Sequence, residues 1–85
     1  MSEYKVFKTK KANKFLSKLP KNMRERIEKK LKRLINPFSI SFVKVKGSEG
    51  VYRIRVGNYR ILYKVYEEKK IVVVLKIDKR SRVYR

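Results

Sequence analysis

The residues that could do chemistry in this 85-residue chain are basic residues and tyrosines, with arginines concentrated between Arg53 and Arg85. Three of these arginines, Arg53, Arg55 and Arg60, lie within the stretch VYRIRVGNYRILYKV. A guanidinium group presents a planar fork of N–H donors that matches the oxygens of a phosphate. The pattern therefore indicates a phosphate-rich ligand, and the basic terminal segment DKRSRVYR extends it.

The rest of the composition excludes several kinds of chemistry. The chain has no cysteine and no histidine, and its seven acids are scattered along the sequence. Zinc or copper therefore has no ligand set and a serine has no histidine base, so we expect neither a metal nor a cofactor. No two carboxylates are spaced to share acid–base work, and no glycine-rich phosphate loop is present.

A cationic surface that carries tyrosines can bind nucleic acid, with basic side chains on phosphates and aromatic rings stacked on bases. It can also cleave RNA without a metal, if a base takes the proton of the ribose 2′-OH and fixed charge stabilises the phosphate. Arginine supplies the charge but cannot act as the base. Tyr84 or Lys79 is the better candidate for proton transfer, although Tyr84 could instead be an aromatic that only packs on the sheet.

The net charge predicts an anionic partner. Twenty-six lysines and arginines against seven acids give a net charge of +19, and a field of that size repels itself. We therefore expect an acidic protein partner in addition to a phosphate ligand. A lysine-rich surface is also typical of proteins adapted to high temperature, but that alternative does not explain the arginines.

The arginines are positioned by a predicted β-hairpin over residues 51–65, in which a Gly-Asn pair forms a two-residue turn. Alternation predicts one apolar face with three cross-strand pairs: Val56 with Tyr59, Ile54 with Ile61 and Tyr52 with Tyr63. The other face then has Arg55 opposite Arg60 and Arg53 opposite Leu62.

Like charges that face each other across two strands are destabilising. We expect the arginines to crowd together on the uncovered side of the sheet, with no carboxylate of the chain to neutralise them, so that RNA phosphate lies there. Asp78 comes at the end of a strand, where it can orient a neighbouring arginine.

Two helices are predicted before the hairpin. Apolar residues recur at helical spacing, first as Ala12, Phe15, Leu16 and Leu19, and then as Met23, Ile27, Leu31 and Leu34. Pro20 separates the two helices, and Asn22 followed by Glu25 is typical of an N-terminal cap. Asn36-Pro37 ends the second helix.

Strands are predicted on either side of these helices. Residues 3–9 alternate as a first strand, and a short extended piece is expected within residues 40–46. Residues 71–77 form an almost continuous apolar run typical of an interior strand. We expect Lys76 to lie on the open face beside Arg60, and the core face to include Ile71, Val73, Leu75 and Ile77.

These elements predict an α+β fold that occupies residues 1–85 as a single domain. A strand and a helical hairpin precede a three-stranded antiparallel meander, and the two helices pack on one face of a small sheet. No apolar run approaches the length of a membrane span and no signal peptide is evident, so we expect a cytoplasmic protein.

The sequence resembles the RelE-type toxins of bacterial and archaeal toxin–antitoxin pairs, within the RelE/ParE superfamily. The resemblance runs from YKVFKTKKANKFLSKLP, through the helix before Asn36-Pro37, to the hairpin and DKRSRVYR, and so covers nearly the whole chain. Its specific parts are the hairpin and the Arg-x-x-x-Tyr ending. The family implies the fold described above, cleavage of mRNA in the ribosomal A site without a metal, and inhibition by an acidic, RelB-like antitoxin that wraps the toxin.

The resemblance also assigns residues, and the family's catalytic positions fall on Arg53, Arg55, Arg60, Arg80 and Tyr84. Two departures bear on catalysis. At the positions of Arg53 and Arg55, many members of the family have lysine. Where residues 78–80 of this chain read Asp-Lys-Arg, Gly-His-Arg is common in the family. Both departures shift proton transfer toward Tyr84 or Lys79. Further RNA contacts are expected from Lys44, Lys46, Lys76, Arg82 and Arg85.

Two alternatives to a ribosome-dependent mRNA endonuclease stay open from the sequence. The protein could instead poison DNA gyrase, as the ParE branch of the superfamily does. In that case Tyr84 is dispensable for toxicity. The chain could instead be a non-catalytic RNA-binding or ribosome-associated protein, with binding that depends steeply on salt.

Overall fold

A computed structural model describes residues 3–79 of the chain as two helices packed against one five-stranded sheet. The elements follow in the order β1 (Lys5–Lys8), α1 (Lys10–Ser17), α2 (Lys21–Lys32), a short 3-10 helix (Arg33–Ile35), β2 (Val43–Lys44), β3 (Val51–Val56), β4 (Tyr59–Tyr66) and β5 (Ile71–Lys79). The predicted α+β class is therefore confirmed. Neither helix within residues 3–79 has the length and apolar character that crossing a membrane requires.

The sheet has the strand order β1-β5-β4-β3-β2. The meander β3–β4–β5 is antiparallel, as predicted, and β2 extends it at one edge. At the other edge β1 pairs with β5 in parallel, a connection that spans both helices. Side chains from α1 and α2 bury one side of this sheet, and no helix within residues 3–79 covers the other side.

The central hairpin has the predicted register at every position. Ile54 pairs with Ile61 on the core side, and Arg55 pairs with Arg60 on the uncovered side. Gly57 has a φ of 60°, which suits the first central position of a type II′ turn, where glycine avoids strain. The turn and the alternation together determine which face each side chain joins.

The prediction for the last strand is partly wrong. Val72 and Val74 are buried, together with Ile77, whereas Ile71, Val73 and Leu75 are only half-buried. The reason is a β-bulge, because Leu62 pairs with Lys76 while the next residue of β4 pairs with Val74, so that Leu75 has no partner. One extra residue reverses the alternation of the strand before it.

A single threonine accommodates this bulge. The hydroxyl of Thr9 donates to the carbonyl oxygen of Leu75 at 3.0 Å and accepts from the backbone N–H of Ala12 at 3.1 Å. Thr9 is thereby the N-cap of α1 and also satisfies a carbonyl that the irregular strand exposes. The start of the first helix is thus tied to the middle of β5.

The helices follow the predicted apolar spacing, with one correction at a cap. Ile27, Leu31 and Leu34 are buried and Met23 packs against the core. The predicted cap at Asn22 is wrong, because α2 begins at Lys21 and Asn22 lies inside its first turn. Pro20 precedes the helix with a φ of −57°, which is already close to the helical value and starts the helix earlier.

The core contains one polar atom that makes no hydrogen bond. Within residues 3–79, the hydroxyl of Tyr63 is the one buried side-chain oxygen or nitrogen without a partner. Burial raises the pKa of Tyr63 from 10.0 to about 12, and the neighbouring Tyr52 adds to the rise. The folded state thus favours the neutral phenol, so stability is retained below pH 10 and is lost as the pH rises from 10 to about 12.

We expect Tyr63→Phe to stabilise the protein by about 1 kcal/mol at neutral pH, because it removes a buried hydroxyl that has no partner. The advantage should widen between pH 10 and 12, since only the wild type then loses stability through this phenol. Urea unfolding at neutral pH and between pH 10 and 12 measures the difference in unfolding free energy between the variant and the wild type. Tyr52→Phe is the control and should change stability less. A Tyr63→Phe protein no more stable than the wild type would show that the hydroxyl has a partner.

Candidate nucleic-acid interface

The uncovered side of the sheet gathers basic side chains near the β3–β4 turn. Two rows cross β3, β4 and β5 in that order: Arg55, Arg60 and Asp78, then Arg53, Leu62 and Lys76. We call Arg53, Arg55, Arg60 and Lys76 the cationic face. Each comes from a strand of the rigid meander, so the backbone ladder sets their spacing.

Arg60 has a carboxylate partner, which corrects the expectation that no acid of the chain lies among the arginines. Its Nε donates to Oδ1 of Asp78 at 3.2 Å and its Nη2 donates to Oδ2 at 3.3 Å. The Nζ of Lys76 lies 3.5 Å from the same Oδ2. Asp78 follows Lys76 by two residues on the same face of β5, directly opposite Arg60. The expectation that Lys76 lies on this face, near Arg60, is confirmed.

The cationic face stays positive despite this pairing. The carboxylate of Asp78 contacts only Arg60 and Lys76 among the four cations, and Arg55 stands opposite Arg60 across the β3–β4 pair. Arg55 is exposed, whereas Arg53 and Arg60 are half-buried. Partial burial strengthens the attraction between a guanidinium and an anion, because less water screens it. This surface can therefore bind a phosphate, and within residues 3–79 no cluster of His, Cys, Asp or Glu could hold a metal ion.

Other predicted residues lie elsewhere. Lys79 pairs with Tyr59 and Lys44 pairs with Tyr52, both on the helix-covered side of the sheet. Lys46 follows β2 as an exposed residue of the loop. The structure therefore does not bring Lys79 together with Arg60. The remaining predicted site residues, Arg80, Arg82, Tyr84 and Arg85, lie outside the described residues.

At the other end of the uncovered side, exposed apolar side chains lie beside Lys5 and Lys64, and they were not predicted from the sequence. Phe7 is 50% exposed and pairs with Val73, while Tyr66 is 40% exposed and pairs with Ile71. The signal was present, because an apolar run with both faces hydrophobic must place half of its side chains on the uncovered side. The cationic face thus occupies only the half of the sheet near the hairpin turn.

Comparison with known families assigns the chain to a protein family. Residues 6–84 match the family model described as "ParE toxin of type II toxin-antitoxin system, parDE". The chain belongs to the RelE/ParE toxin family. The match covers most of the chain, including the meander that carries the cationic face, and it makes the protein a toxin of a type II toxin–antitoxin system.

Individual relatives place this toxin on the RelE branch. It is 34% identical over 67 residues to the mRNA interferase toxin RelE of Escherichia coli K12, a match that covers 76% of this chain and 70% of the relative. A shorter match, 38% identical over 42 residues, covers 49% of this chain and 47% of the putative toxin RelE1 of Methanocaldococcus jannaschii.

Solved structures agree with this assignment. RelE in the archaeal RelE–RelB complex from Pyrococcus horikoshii superposes with a TM-score of 0.82 at 30% identity, covering 95% of this chain and 99% of the other. The isolated E. coli RelE toxin superposes with a TM-score of 0.81 at 31% identity, covering 93% and 86%. The resemblance to RelE-type toxins read from the sequence is thereby confirmed, as is the fold it implied.

Proposed function

We propose that this RelE-type toxin is a ribosome-dependent mRNA endonuclease that acts without a metal and so stops translation. The observation that carries the proposal is the cationic face, with Arg60 at its centre on the uncovered side of the sheet. The E. coli relative is named an mRNA interferase, which supports the same activity. Leu62 lies between Arg53 and Lys76, so the face offers an apolar contact as well as donors for phosphate.

The proposed reaction is an internal transesterification. The ribose 2′-OH attacks the adjacent phosphorus, the bond to the 5′ oxygen of the next nucleotide breaks, and a 2′,3′-cyclic phosphate and a 5′-OH remain. A base takes the proton of the 2′-OH and an acid returns one to the leaving oxygen, so protons balance. Arg60, with Arg53 and Arg55 beside it, stabilises the charge that develops on the phosphate oxygens.

Tyr84 is our candidate for proton transfer. Arginine does not deprotonate in proteins. Lys79 lies on the helix-covered side of the sheet, whereas Arg60 lies on the uncovered side. We assign Arg80 the role of binding a phosphate. Lys76, Arg82 and Arg85 then provide further RNA contacts, and Lys44 and Lys46 add attraction from the edge of the sheet.

The partner that silences this toxin is proposed to be an acidic, RelB-like antitoxin. A net charge of +19 repels itself, so an anionic protein surface should bind this toxin when no RNA is bound. RelE chains from P. horikoshii and E. coli were solved in complexes with RelB. Because a toxin that acts on translating ribosomes must meet them, we propose that it acts in the cytoplasm.

A translating extract tests the activity. Added toxin should cut mRNA inside the codon in the ribosomal A site, because the ribosome presents the message in a fixed geometry for attack. Primer extension maps the ends, and Tyr84→Phe should remove most of the cutting while the variant still binds ribosomes. Intact mRNA from the wild type would contradict the proposal. DNA damage on expression without mRNA cleavage would instead favour gyrase poisoning. That activity is considered because the matching family model carries the name ParE.

A further inference from the structure

Asp78 holds Arg60 in one orientation. Both oxygens of its carboxylate accept from the guanidinium, Oδ1 from Nε at 3.2 Å and Oδ2 from Nη2 at 3.3 Å. The Nζ of Lys76, 3.5 Å from Oδ2, contacts the carboxylate from the neighbouring row. The side chains of Arg60 and Asp78 keep 32% and 25% of their surface exposed, so solvent still reaches the pair.

Among residues 3–79, the guanidinium of Arg60 makes no hydrogen bond other than those with Asp78, and one of its edges is left free. An arginine side chain has five N–H groups in a rigid plane. Asp78 accepts from the edge formed by Nε and Nη2. The outer edge, formed by Nη1 and the second N–H of Nη2, keeps two parallel donors, which is the arrangement that binds a phosphate in bidentate fashion.

The pair has effects that oppose each other. A partly exposed ion pair adds little to stability, and a carboxylate beside the cationic face weakens its attraction for RNA. Without Asp78, however, Arg60 would face the like charge of Arg55, and no other side chain within residues 3–79 would hold its guanidinium. A group that weakens binding while it orients a cation affects the rate and the affinity in opposite directions.

We propose that Asp78 is a positioning residue, which turns the outer edge of Arg60 toward the phosphate at the cleavage site. It lowers the affinity of the toxin for RNA and raises the rate of cleavage once RNA is bound. The consequence for the rate rests on the proposed function, whereas the orientation of Arg60 does not.

The test compares Asp78→Asn and Asp78→Glu with Glu68→Gln, which removes an equal charge in the exposed turn before β5. The single-turnover rate on programmed ribosomes should fall about tenfold in Asp78→Asn, because a misplaced group loses reactive geometry. The affinity for a short RNA should not weaken. Asp78→Glu should recover part of the rate, since its carboxylate can still reach Arg60, and Glu68→Gln should behave as the wild type.

A second measurement reads the orientation directly. The Nε–H signal of Arg60 in an NMR spectrum should be protected from solvent exchange in the wild type and should exchange fast in Asp78→Asn. This result decides the orientation even if the wild type fails to cut mRNA, which would refute the proposed function alone. An unchanged signal would overturn the inference. So would an Asp78→Asn protein that cleaves as fast as the wild type, or one that loses affinity and rate together, as an unfolded variant would.

Discussion

Replacing Arg60 with alanine should lower the rate of mRNA cleavage on the ribosome by about 100-fold or more, the usual effect of removing a group that stabilises transition-state charge. Arg60 lies in the middle strand of the meander, with Arg55 on one side and Asp78 on the other. It is half-buried, so its attraction for a developing negative charge is less screened than that of an exposed arginine.

The measurement is a single-turnover reaction, with the toxin in excess over the programmed ribosomes. Arg33→Ala removes the same charge from the exposed 3-10 helix and should cleave at the wild-type rate. Arg60→Lys keeps the charge but not the planar fork, and should fall between the two. Among residues 3–79, Arg60→Ala leaves Lys76 as the one cation in contact with Asp78. The double variant Arg60→Ala/Asp78→Asn should therefore recover affinity for RNA without recovering the rate. Cleavage by Arg60→Ala at the wild-type rate would remove Arg60 from the mechanism.

Replacing Ile61, the next residue along β4, should have a large effect of another kind. Ile61 has no exposed surface and pairs with Ile54 and Ile77 on the core side. Ile61→Ala should cost about 2–5 kcal/mol of unfolding free energy, through lost burial and the cavity left behind. A small domain has only about 5–15 kcal/mol in total, so the urea midpoint should drop sharply.

The matched control for Ile61→Ala is Leu62→Ala. Leu62 is the adjacent residue of the same strand, but it is half-buried on the uncovered side between Arg53 and Lys76. Its truncation should cost about 1 kcal/mol or less, as is common for positions that remain partly in water. Circular dichroism during urea unfolding measures both. Equal losses from the two variants would contradict the assignment of the faces.

The hairpin could be predicted residue by residue because two independent signals agree there. A two-residue Gly-Asn turn sets the register, and the alternation from Tyr52 to Tyr63, interrupted at Leu62, leaves one consistent way to bury the apolar side chains. The helical stripes were equally clear, since apolar residues at spacings of three and four leave one face to bury. The positions of Arg53, Arg55 and Arg60 on the uncovered side followed from the same alternation.

The last strand could not be predicted in the same way. A run that is apolar on both faces has no alternation to reveal its register, so the bulge at Leu75 was invisible. The hydrogen bond that satisfies this bulge comes from Thr9, 66 residues away in sequence. The pairing of Asp78 with Arg60 depends on the register between β4 and β5, which that bulge sets. Long-range contacts of this kind are not encoded in local spacing.

The central claim, that the cationic face stabilises a phosphate attacked by its own ribose 2′-OH, is tested most directly with a chemically altered message. Purified ribosomes are programmed with an mRNA whose A-site codon carries a single 2′-deoxynucleotide at the cleaved position, and the unmodified message serves as the control. We predict that the toxin cuts the control to leave a 2′,3′-cyclic phosphate and leaves the deoxy message intact. Cutting of both messages at the same position and rate would contradict the account.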